Sequence, residues 1–122
     1  MPGITYNQRE IVLVPFPYSD LTTTKRRPVL IISNNDYNRD FQDVLVCVIT
    51  SNQFKDDYSV ELLETDLELG ILAEPSIVKA HKLFTIHQSK IIKKFSLIKE
   101  SHFIKVTSKI KQLIDDPSSL PF

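Results

Sequence analysis

EIVLVPFPYSDLTTTKRRPVLIIS, residues 10–33, sets two β-rich runs on either side of a polar connection. The first run reads as a strand over residues 9–15, since β-branched side chains fit a pleated, half-buried surface. Pro15 and Pro17 then either end regular pairing or confine it to a sheet edge. YSDLTTTKRR reads as an exposed loop and PVLIIS as a second strand. A proline fixes its own φ and pushes the residue before it toward an extended conformation, so Arg27 is partly frozen before any tertiary contact forms. A guanidinium held at the mouth of a strand suits a phosphate or a carboxylate.

Working outward, NNDYNRDFQD has the Asn and Asp density of a loop or short helical turn and leads into VLVCVITS. That third strand is apolar on both faces and is expected at the centre of a sheet. YSVEL alternates as a strand does, TDLELG reads as a turn ending at Gly70, SIVKAHKLFTI is again β-rich, and SKIIKKFSL adds one more such segment. The period then changes. Phe103, Val106, Ile110, Leu113 and Ile114 recur at three and four residues, as on one side of a helix, and the run stops at DDP. Short strands followed by one amphipathic helix argue for a compact twisted sheet or small barrel with the helix packed on it.

The 122 residues are expected to form one domain, 1–122, with enough apolar surface to fold without metals or disulfides. Cys47 is the only cysteine and lies within an apolar run, so it is expected in the core. Fifteen basic and fifteen acidic residues cancel, which argues against a general nucleic-acid coat held by bulk charge. Contact with nucleic acid would need a local patch, for which TTTKRR and SKIIKK are candidates beside the acidic KDDYSVELLETDLELG. The start MPGITYNQRE lacks a signal-peptide pattern and no apolar run approaches bilayer length, so a cytoplasmic protein with no membrane contact is expected. Neither a ligand-spaced Cys/His cluster nor a Gly-rich phosphate loop is present, Asp56 and Asp57 read as a solvated turn, and no metal or other cofactor is expected.

The VPFP strand end, the polar loop, the Arg-Pro step and the aliphatic strand, then VLVCVITS, PSIVKAHKLFTI and a terminal helix, resemble the MazF/PemK family of toxins from toxin–antitoxin systems. The similarity runs in order over residues 8–115. It implies a mainly β fold, a small SH3-like barrel of about five to seven strands with a C-terminal amphipathic helix. It also implies a homodimer and a metal-independent, sequence-selective endoribonuclease restrained by a cognate antitoxin. Such enzymes cut single-stranded RNA, mostly messenger RNA, by attack of the 2′-hydroxyl on the neighbouring phosphorus. That reaction asks for a base, an acid and fixed positive charge beside the phosphorane.

On this resemblance Arg27 is the Arg of the Arg-Pro step, always protonated and able to set two parallel donors on phosphate oxygens. Lys25 and Arg26 would position phosphates. Thr50 and Ser51 match the hydroxyl residues at the end of the central strand, where they donate to a phosphate oxygen or satisfy local backbone. Lys79 and His81, two apart, leave the same face of a strand. The family pattern has an Arg and an acidic residue here, so the sequence departs from it; Lys79 can contact phosphate and His81 can move a proton near neutrality. Against that stands a partly buried His81 bonded to backbone. Phe16 and Tyr18 either stack an unpaired base or fill core and interface. His87 and His102 fall outside the motifs and read as structural or surface residues. Two rival functions stay open: a gyrase-poison-type barrel, and a barrel that binds RNA or peptide without catalysis.

Overall fold

The structure is a computed structural model that describes residues 5–17 and 24–116. Its elements are β1 (Glu10–Pro17), β2 (Thr24–Ile31), α1 (Asn35–Asp40), β3 (Asp43–Thr50), β4 (Ser59–Leu62), β5 (Leu67–Gly70), β6 (Ser76–His87), β7 (Lys93–Ile98) and α2 (Glu100–Ile114). The strands form one antiparallel sheet in the order β4-β6-β3-β2-β1-β7-β5. The outermost strands β4 and β5 are consecutive in the chain, joined through the single 3-10 turn Glu64–Asp66. A flat sheet would hold its outer strands about 29 Å apart. The short connection reaches at most about 18 Å. The sheet must therefore curl until its edges approach each other, and the fold is mainly β, as expected, with seven strands in a curled half-barrel and a C-terminal helix.

Alternation along the central strands divides the interior in two. Leu30, Cys47, Ile49, Val78 and Ala80 point to one side and pack with Ile11, Leu62 and Ile98 under Phe103 and Val106 of α2. Val12, Val14, Val29, Ile31, Val44 and Val46 point to the other, joined by Phe16, Phe84 and Ile86. β3, expected at the centre, lies between β2 and β6 and is buried on both faces. Cys47 is in the core as expected, and burial pushes its thiol up to about 12.

The boundaries differ from expectation in instructive places. β1 runs through Pro17 and β2 begins at Thr24, so KRR is strand rather than loop. Beyond Leu13 and before Val29 these strands pair, among the described residues, only with each other, an arm projecting from the sheet. Leu13 turns its carbonyl to Ile92, so by alternation Pro15 and Pro17 turn their nitrogens to the same outer side, where no ladder bond is lost. The expected turn TDLELG is a 3-10 turn followed by strand β5. Gly70 ends that strand at φ 92°, and a Cβ there would fall 2.3 Å from the Phe95 carbonyl oxygen. In α2, Phe103 and Val106 are buried and Ile110 packs partly, but Leu113 and Ile114 are exposed.

Candidate active site

The apolar face built from Val12, Val29 and Val46 turns polar at one end of the sheet. There Phe16, Arg27, Val48, Thr50, Lys79, His81 and Lys82 line an open groove of about 510 Å³ together with Asn52, Phe54 and Asp56 of the β3–β4 loop. Arg27 reaches it from the β1–β2 arm, opposite Val14. Val48 pairs with Val29, so Thr50, two residues on, comes from the neighbouring strand on the same face. The Thr50 hydroxyl oxygen accepts the Asn52 N–H at 3.1 Å, an arrangement that leaves its own proton to donate.

β6 is where the ladder breaks. Cys47 pairs with Leu83 and the next residue, Val48, with Lys79, so Ala80, His81 and Lys82 form a bulge against β3. Bulges re-aim side chains, and this one tips His81 into the groove beside Lys79. The His81 Nδ1 is buried without a hydrogen-bond partner, while Nε2 lies 3.8 Å from Asp56 Oδ2, past hydrogen-bond reach. The Tyr58 ring stands 5.8 Å from the imidazole.

Lys79 is nearly buried, and its ammonium donates to the Phe54 carbonyl at 2.8 Å, Ser59 Oγ at 3.2 Å and Asp56 Oδ2 at 3.3 Å. An ammonium has three protons, so the three acceptors match its donors, and its evident work is to fasten the loop. Asp56 is therefore no mere solvated turn. The Tyr58 N–H, followed by the Lys79 ammonium and the Ser59 hydroxyl, holds its carboxyl below the usual carboxylate range against the opposing effect of desolvation.

Other expected site residues go elsewhere. Lys25, Arg26 and Ser51 line a second pocket of about 320 Å³ with Ile11, Ile49, Leu72, Glu74 and Phe95, and Arg27 borders both. Phe16 lines the groove while packing edge-on against Phe84 at 5.6 Å. Tyr18 lies outside the described residues. His102 is structural: Nε2 meets the Glu61 carbonyl at 2.7 Å and Nδ1 lies 3.4 Å from Asp66. His87 accepts the Ser89 N–H beside a 3-10 turn. Sequence reading missed Asn52, Phe54 and Asp56; the Asn and Asp in that loop were the visible signal, since such side chains organise turns by bonding nearby N–H groups. Among the described residues no three His, Cys, Asp or Glu side chains are grouped to hold a metal, and no helix is long and apolar enough to cross a membrane.

Residues 7–114 match the family described as PemK-like, MazF-like toxin of type II toxin-antitoxin system. Comparison with curated proteins found no match. Among solved structures the chain is similar to an endoribonuclease from a Mycobacterial species in complex with its cognate antitoxin, with TM-score 0.75 and 17% identity over 92% of this chain and 99% of that one. It is similar to MazF in a MazE-MazF structure from Deinococcus radiodurans, TM-score 0.72 and 18% identity, covering 91% of this chain and 97% of that one. It also resembles the Mycobacterium tuberculosis toxin MazF-mt6, TM-score 0.68 and 21% identity, covering 85% and 94% respectively. At these identities the likeness speaks for the fold.

Proposed function

The chain belongs to the PemK-like, MazF-like family of type II toxin–antitoxin toxins, and from that premise we propose that it is a sequence-selective endoribonuclease that cuts single-stranded RNA without a metal. The observation that carries this reading is the convergence of Arg27, Thr50 and His81, from three different strands, on one open groove. The 2′-hydroxyl of one nucleotide attacks the adjacent phosphorus, and the 5′-oxygen of the next leaves, giving a cyclic phosphate and a 5′-hydroxyl end. Arg27 and Thr50 donate to the phosphorane oxygens, where charge gathers as the bond order at phosphorus rises. His81 takes part in the proton transfer; with Nδ1 buried, the exchange runs through Nε2. Lys79 serves the site by holding the β3–β4 loop.

The rest of the reading follows the family. The protein acts in the cytoplasm as a homodimer, and a cognate antitoxin silences it by laying an acidic, disordered tail over the groove, displacing RNA by charge and bulk. The test is incubation of purified protein with mixed-sequence single-stranded RNA in EDTA beside an Arg27→Ala variant, with the new ends mapped. Cuts bearing 5′-hydroxyl ends, reduced at least about 10²-fold in the variant, are expected. Absence of cutting by folded, antitoxin-free protein would overturn the reading in favour of a gyrase-poison-type or catalytically silent barrel.

A further inference from the structure

Two phenylalanines of the described residues are strongly exposed, Phe54 at 69% and Phe41 at 57%. They differ in what holds them. Phe41 is stacked on Tyr37 at 4.6 Å, so its ring has an aromatic partner within the protein. Phe54 stands on the β3–β4 loop at the wall of the groove, and its ring has the Lys79 ammonium 5.2 Å from its centroid.

Leaving a phenylalanine in water forgoes about 2 kcal/mol of burial. Fixing a loop that carries it adds an entropy cost, yet this loop is fixed. The Phe54 N–H donates to Asn52 Oδ1 at 3.0 Å and its carbonyl accepts from Lys79, so both backbone groups of the residue are pinned. Gln53 donates to the Ser51 and Pro75 carbonyls, tying the loop to the start of β6. Asp56 N–H donates to Ser59 Oγ and Asp56 Oδ1 accepts the Tyr58 N–H. The sequence thus builds a rigid mount for an exposed ring at the edge of a groove that also carries Arg27 and Lys82. An aromatic face beside fixed cations is the chemistry that receives a nucleobase next to its phosphate, and a cation against the ring adds to its attraction for the protein that holds it.

We propose that Phe54 is a base-stacking platform for a nucleotide flanking the scissile bond, and that Lys79 is the positioning residue that aims it. The proposal rests on the ribonuclease reading above and deepens it, since it places a substrate-binding face outside the motif residues. The peptide of a protein partner could also lie on such a ring, and the test separates the two.

The chain has no tryptophan, so Phe54→Trp creates the sole indole of the molecule. Titration of that variant with a 2′-O-methyl RNA oligomer, which cannot be cut, and with an abasic oligomer of equal length and charge reads stacking without requiring catalysis. Saturable quenching by the base-bearing oligomer, at least about fivefold tighter than by the abasic one, is expected. Phe54→Ala is expected to raise KM for cleavage about tenfold with a far smaller change in kcat, and Phe54→Tyr to restore it. Lys79→Met should raise KM similarly, and adding Phe54→Ala to it should raise KM little further, since both remove one platform. Equal quenching by the two oligomers, or an unchanged KM in Phe54→Ala, overturns the proposal while Arg27-dependent cutting still stands. If the wild type cuts nothing, the ribonuclease reading fails, and the quenching alone decides whether Phe54 receives a base or is left for a peptide.

Discussion

Thr50 and Ser51 are neighbours in the chain, yet they part to different pockets at the same end of the sheet, whereas the basic run Lys25–Arg27 stays together at one pocket and reaches the other through Arg27. Thr50 lies in the open groove with Lys79 and His81, Arg26 and Ser51 in the smaller pocket with Glu74 among Ile11, Ile49 and Phe95, and Arg27 borders both. The cause is the two-residue period of a strand, which sends adjacent side chains to opposite faces. A Thr-Ser pair in a strand is thus two half-motifs, and a role inferred for one member does not pass to the other.

The largest effect that could break this distinction concerns proton transfer. His81→Gln is expected to lower the cleavage rate about 10³-fold and to remove a limb of its pH profile, whereas Glu74→Gln, at the carboxylate of the other pocket, should change the rate by less than about threefold. Equal losses, or a His81→Gln enzyme with the wild-type profile, would erase the difference between the sides. Next in size, Thr50→Val is expected to cut the rate about 10²-fold and Ser51→Ala within about threefold, measured on one RNA under single-turnover conditions. A reversed order would show that the second pocket holds the phosphate.

The smallest effect sharpens the comparison by asking how the groove side is fastened. Asp56 has its folded-state pKa lowered, first by the Tyr58 N–H and then by Lys79 and Ser59, so it binds a proton less readily folded than unfolded. Its stabilisation is present above the unfolded value of about 3.8 and is lost as pH falls through the folded value. Asp56→Asn should therefore lower the thermal midpoint at pH 7 by a degree or two, on the order expected for a partly exposed carboxylate, and converge with wild type in acid. A gap that persists at low pH would mean the residue acts through shape rather than charge.

Much of the candidate groove was legible because strand period and motif order carry it. Lys79 and His81 were placed on one face by their spacing, and both line the groove, although the bulge through Ala80–Lys82 that presents His81 leaves no mark in the apolar pattern. Thr50 was legible as a strand-end residue, but Arg27, read at the mouth of a strand, lies within β2, which required knowing that KRR continues a strand. The prolines hid that: Pro15 and Pro17 allow either a strand end or an edge, and only the register with β2 decides. β5 was hidden by size, four residues with one buried side chain, Leu67. Phe54 and Asp56 were illegible for a different reason. Their loop is shaped by Lys79, more than twenty residues away in the chain, and local composition does not report so distant an ammonium.

The prolines of the arm have a further effect. Where β1 and β2 pair, among the described residues, only with each other, their outer edges would ordinarily offer rows of N–H groups to any passing strand, the usual start of edge-to-edge aggregation. Pro15 and Pro17 stand with their nitrogens on that outer side of β1, and Pro28 interrupts β2 just before it joins β3. The residues that made the first strand hard to delimit are the ones that keep its exposed edge from recruiting another chain, so an open arm that presents Arg27 can exist without becoming a seed for fibres.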